Sequence, residues 1–130
     1  MIKTKGMCLG AGCLLVLSAC STTANTVPKA DAGPSAFDGV SYDVKTKVLK
    51  DDVPDSEAYR LYLEEDTSYG SVYSVRKTAL KQAASYCAQT SQYVSLLRES
   101  SALGLLSEGN YPRVELVFAC VDEQPEPLQQ

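Results

Sequence analysis

The sequence predicts a small α+β module, β-β-α-β-β in order, with one helix packed on a sheet of about four strands and one disulfide. Three observations predict it. Residues 72–89 carry Val72, Val75, Ala79, Leu80, Ala83, Ala84 and Cys87 at three- and four-residue steps, the single apolar stripe of a helix. Short segments on either side alternate apolar with polar residues, as half-buried strands do. Cys87 falls on the helix stripe and Cys120 on the apolar face of the last alternating segment, so the two thiols aim at one core.

Val40, Tyr42, Val44 and Val48 alternate with Ser41, Asp43, Lys45 and Lys47, which predicts a first strand with one wet face. Asp51-Asp52-Val53-Pro54-Asp55 breaks that pattern. Residues 58–63 then put Tyr59, Leu61 and Leu63 on one side, a second strand, although Asp55-Ser56-Glu57 is equally able to start a short helix. The helix over Val72–Gln89 takes Ser71 as its N-cap, with Ser74 the second candidate. Arg76, Lys77, Lys81 and Gln82 lie mostly off the stripe, whose alanines let the helix sit close to a sheet. Two strands follow, Tyr93–Arg98 and Arg113–Val121, with turn chemistry at Glu108-Gly109-Asn110. In the last, Val114, Leu116, Phe118 and Cys120 share one face and Glu115, Val117 and Ala119 the other.

The chain has 130 residues, room for one domain, and 45% of them are hydrophobic, enough to build a core. Its 12 Lys+Arg against 16 Asp+Glu argue against a nucleic-acid partner. It contains no His and no Trp, so metal sites and catalytic triads that need imidazole are excluded. Residues 20–38 (CSTTANTVPKADAGPSAFD) have no apolar period and read as a flexible tether, about 25 Å long as a coil and about 60 Å at full extension. Residues 123–130 (EQPEPLQQ) read as a disordered tail, which leaves residues 39–122 as the globular domain.

Residues 1–19 read as a signal peptide. Lys3 and Lys5 form a basic start, no acidic residue precedes Asp31, and Met7–Ala19 is an apolar run of 13 residues. A membrane span needs about 20 apolar residues, so this run is too short for a permanent anchor. It ends in Leu17-Ser18-Ala19-Cys20, which resembles the lipobox of bacterial lipoproteins; an ordinary secretory signal with a nearby cysteine is the plainer alternative. The resemblance implies cleavage between Ala19 and Cys20 and lipid on the Cys20 thiol and amino group, with no cofactor. Several acyl chains hold a protein stably on a bilayer. Ser21 after the cysteine, where an inner-membrane lipoprotein has Asp, implies the outer membrane with the domain in the periplasm. Of five cysteines, Cys8 and Cys13 then leave with the signal and Cys20 carries lipid. Cys87 and Cys120 form an even pair in an oxidising compartment, a disulfide by default, with two buried free thiols as the alternative. Loss of Lys3 and Lys5 leaves 10 basic against 16 acidic side chains, so the surface is repelled by anionic lipid and the acyl chains do the anchoring.

Nothing in the sequence supports catalysis. Acidic residues cluster at Asp51, Asp52 and Asp55 and at Glu64, Glu65 and Asp66, without the spacing of a calcium loop, and read as solvated turns. There is no G-x-S-x-G, no phosphate loop and no C-x-x-C within the mature chain. Two features suggest binding. All eight tyrosines lie beyond the signal; Tyr42, Tyr59 and Tyr93 fit strand periods and pack, whereas Tyr62, Tyr69, Tyr73 and Tyr111 are candidate contacts. Leu103, Leu105 and Leu106 sit in a connection that should be polar, either as a partner-facing patch or as a buried continuation of the flanking strands.

These readings imply a non-catalytic lipoprotein that presents a small interaction domain to an envelope protein, in sensing, structure or assembly. The plan of lipobox, tether and small disulfide-stapled α+β module is similar to that of the envelope lipoproteins that include the Rcs stress sensor. The alternative is an inhibitor of a basic hydrolase such as lysozyme, whose charge an acidic surface attracts. Lysozyme inhibitors of this size are all-β, and the helix over residues 72–89 sets the chain apart from them.

Overall fold

The computed structural model describes residues 26–38, 43–65, 71–103 and 111–127. Five strands form one antiparallel sheet: β1 (Thr26–Pro28), β2 (Val44–Val48), β3 (Tyr59–Glu64), β4 (Tyr93–Ala102) and β5 (Arg113–Val121), in the spatial order β1-β3-β5-β4-β2. One helix, α1 (Val72–Ala88), packs across one face of it. The last strand in the chain is thus the central strand of the sheet. It pairs along most of its length with β3 (Leu61 opposite Leu116) and with β4 (Leu96 opposite Phe118).

The helix forms where its stripe predicts. Ser71 is the N-cap: its hydroxyl accepts the Ser74 N–H, and the Ser74 hydroxyl in turn accepts the Ser71 N–H, so both serines serve in one reciprocal cap. Val75, Ala79, Ala83 and Cys87 are buried against Leu61, Leu96, Val114, Leu116 and Phe118. Tyr59, Tyr86 and Phe118 close one side of this core as a ring cluster, with centroids 4.8–6.1 Å apart. The Cys87–Cys120 disulfide ties the C-terminal end of α1 to the end of β5. Just beyond the helix the chain turns back through Ser91, which holds a left-handed φ of 58° while the Gln92 N–H returns to the Cys87 carbonyl. Only glycine adopts that conformation freely, so Ser91→Gly is expected to raise the unfolding free energy by about 0.5–1 kcal/mol, read as a higher urea midpoint.

The second strand and the short helix compete for no residues: Asp55–Glu57 is a single 3-10 turn that runs directly into β3. β4 is longer than the alternation over 93–98 suggests and continues to Ala102. A bulge lies between Leu96 and Arg98, where Leu97 is the extra residue. It lets Leu97 pack with Ala58, Val117 and Ala119 on the face away from the helix.

Two expectations need correction. The strand predicted with one half-buried face, β2, is an edge strand that is exposed along most of its length; Val48 keeps 59% of its surface. It lies at the sheet margin, beside β4 alone, so alternation in sequence did not bring burial. The segment expected to be a free tether is in part structured. Thr26–Pro28 adds the fifth strand on β3, with Thr26 opposite Leu61 and Pro28 opposite Tyr59, an edge position that tolerates a proline. Residues 29–38 then cross the face of the sheet opposite the helix as a strap. What holds them is polar and has no period to read: Arg60 donates to the carbonyls of Ala32, Gly33 (2.9 Å) and Pro34 (3.2 Å). The Ser35 hydroxyl donates to the buried Glu115 carboxylate at 2.8 and 2.9 Å and accepts the Phe37 N–H. Phe37 is buried, edge-on to Tyr62 and under the Arg113 guanidinium. The strap explains why β5 is buried on both faces.

Candidate functional site

An open groove lies along one flank of α1. Leu80, Ala84 and Ala88 recur every four residues there and face Val94 and Leu96 of β4 across an apolar groove of about 380 Å³. Tyr93 stands at its margin with 46% of its surface exposed, and Gln124, Pro125 and Glu126 form its end wall. Gln92 is fixed beside it: its amide accepts from Thr90 at 2.8 Å and donates to Asp122 at 3.1 Å.

The groove adjoins a strand edge. β2 pairs only with Arg98–Ala102, and the Leu49 and Lys50 N–H groups both return to the Leu97 carbonyl. On that side of β4, residues 93–96 have no strand neighbour among the described residues. Chemically the arrangement is a short open ladder of peptide groups next to a hydrophobic trough, able to pair with an extended chain and take alternate side chains into the trough.

A second, more charged cleft of about 280 Å³ opens on the strap face, between Val48, Val53, Leu97 and Val117 and rimmed by Lys29, Lys50 and Arg98. Lys29 is engaged there with Asp55 at 2.8 Å. No group of three or more metal-ligating side chains occurs among the described residues, and no helix among them is long and apolar enough to cross a membrane.

The contacts proposed from sequence separate into two kinds. Tyr62 lies on the strap face of β3, packs on Phe37 and donates to Glu64 at 2.9 Å; burial first, then the Glu64 carboxylate, raises its phenol above the ordinary tyrosine range. It is a packing residue. Tyr73, Tyr111 and Leu103 instead gather at one end of the sheet, where β3 and β4 finish and where β2, β5 and α1 begin. Tyr73 is 70% and Leu103 55% exposed, and Tyr111 is half-buried. Leu103 is held by its N–H to the Asp43 carboxylate at 3.1 Å, above a small cleft lined by Lys45, Val72 and Ala102. Ala19, Cys20, Tyr69, Leu105 and Leu106 lie outside the described residues, as does Tyr42. Tyr93, expected to pack, is exposed, because it starts β4 beyond the reach of β2; Tyr59 packs as expected.

The groove itself went unread. The sequence places Leu80 and Ala84 on the helix stripe; Leu80 packs against the core and, with the exposed Ala84, also lines the groove. The available sign is that an apolar stripe holding Val72, Val75, Ala79, Leu80, Ala83, Ala84 and Cys87 is wider than one sheet contact needs. Set against protein-family models, curated proteins and solved structures, the chain matches none of them.

Proposed function

We propose that the chain is a non-catalytic lipoprotein of the outer membrane, anchored by lipid on Cys20, whose folded module captures an extended segment of an envelope protein along the open edge of β4. The observation that carries this reading is the juxtaposition of residues 93–96, without a strand neighbour on one side among the described residues, with the apolar groove between Leu80, Ala84, Val94 and Leu96. Main-chain pairing supplies affinity in such a mode and the trough supplies selectivity. The anchor part of the proposal rests on Leu17-Ser18-Ala19-Cys20.

A photocrosslinking residue at Tyr93 should trap one defined envelope protein in intact cells, and the same residue at Tyr62, packed under the strap, should not. Ala84→Asp places a charge in the trough at an exposed helix position, so stability should fall by only about 1 kcal/mol, from lost helix propensity, while the crosslink is lost. Equal trapping from both positions would defeat the reading. Stoichiometric suppression of lysozyme by the purified protein, lost at high salt, would favour the inhibitor instead.

A further inference from the structure

We infer that the end of the sheet bearing Tyr73, Leu103 and Tyr111 rests on the lipid surface, so that the groove at the opposite end faces away from the membrane. The inference rests on the lipid anchor at Cys20 proposed above and goes beyond it in fixing which way the module stands.

The first argument is length. Thr26 already belongs to a strand of the sheet, so only six peptide units separate Cys20 from β1. Fully extended they reach at most about 20 Å. Cys20, joined to its acyl chains, sits at the base of a headgroup layer about 5–8 Å deep. Thr26 is therefore held within about 15 Å of the lipid surface, a distance comparable to the radius of a module of this size. The module is thereby kept beside the bilayer, and the part of it nearest Thr26 is the part that meets the headgroups most readily.

The second argument is topology, which says which part. β1 runs antiparallel to β3, with Pro28 opposite Tyr59 and Thr26 opposite Leu61, so the chain enters the sheet from the side of Glu64. Glu64 pairs with Arg113, Arg113 with Ala102 and Ala102 with Val44, which makes this one continuous end of the sheet. The same end carries the first turn of α1 with Tyr73, and Leu103 after β4. The groove, built on the C-terminal half of α1, the start of β4 and the segment after β5, lies at the other end.

The third argument is chemistry. Two of the large apolar or aromatic side chains most exposed on the described surface, Tyr73 and Leu103, are at the anchored end, and tyrosine is suited to the headgroup level by its apolar body and polar tip. Asp43 and Glu64 accompany Lys45 there, so the contact does not depend on anionic lipid.

The test uses the full-length lipidated protein in phosphatidylcholine vesicles, with a nitroxide on Tyr73→Cys, Leu103→Cys or Tyr93→Cys in separate samples. Expected is faster relaxation by oxygen than by a water-soluble nickel chelate at 73 and 103, with the order reversed severalfold at 93. The same ordering should persist when anionic lipid is added. Labels at 73 and 103 that respond like the one at 93, on a protein whose mass shows the acylated Cys20, overturn the orientation alone. A mass showing unmodified Cys20 overturns the anchor, and the orientation with it.

Discussion

Replacing Cys87 and Cys120 together by alanine is expected to lower the unfolding free energy by about 3–4 kcal/mol in the chain-entropy account of cross-links. The two residues are 33 positions apart, and the bridge between them removes that loop's freedom from the unfolded chain. Cys87 is fully buried in the core between α1 and the sheet, and Cys120 packs against the same core, so alanine at both positions keeps the surroundings apolar and isolates the covalent contribution. Domains of this size have a total stability of about 5–10 kcal/mol, so the double variant should unfold at a much lower urea concentration. A midpoint that does not move would mean that helix–sheet packing alone sets the stability.

The second large effect is expected at Glu115. Its carboxylate is buried on the strap face, accepts the Ser35 hydroxyl with both oxygens and faces the Arg60 Nε at 3.9 Å. Removing one partner from a buried charged pair costs about 3–5 kcal/mol, because the other charge stays desolvated. Arg60 retains its carbonyl acceptors in the strap, so about 3 kcal/mol, the lower end, is expected for Glu115→Ala. Glu115→Gln keeps an acceptor for Ser35 and should cost less. The signature is local as well as global: the Phe37 N–H, bonded to Ser35, should exchange faster and proteases should cut within residues 29–38. If residues 29–38 stay protected in Glu115→Ala, Phe37 and Arg60 hold the strap without the carboxylate.

How far the fold was legible follows from what each element depends on. β5 was readable to its exact ends because both of its faces are apolar or paired in strict alternation from Arg113 to Val121. The helix was readable because cap, stripe and length agree. The disulfide followed from placing two thiols on faces that meet. β1 and the strap after it were not readable: three residues including a proline have no period and are held by pairing with β3, and the strap is held by hydrogen bonds from Arg60 and Ser35 to distant partners. Side-chain pairings across 26 to 80 positions leave no mark on local composition. The bulge at Leu97 was equally silent, since one extra residue in a strand looks like any other leucine. Of the candidate site, Tyr73 is exposed as a contact residue should be, whereas the sequence leaves Leu103 open between a surface patch and a buried strand continuation; the groove depends on where β2 stops pairing, which only the sheet register reveals.

The order of the strands also has a consequence for biogenesis. The β1–β3 pair and the β2–β4 pair are joined only through β5, which follows all four of them in the chain. Until it emerges, the earlier strands have no common partner and Cys87 has no Cys120, so the nascent chain cannot close prematurely around its helix. Assembly of the sheet and closure of its covalent bridge therefore wait on one and the same strand.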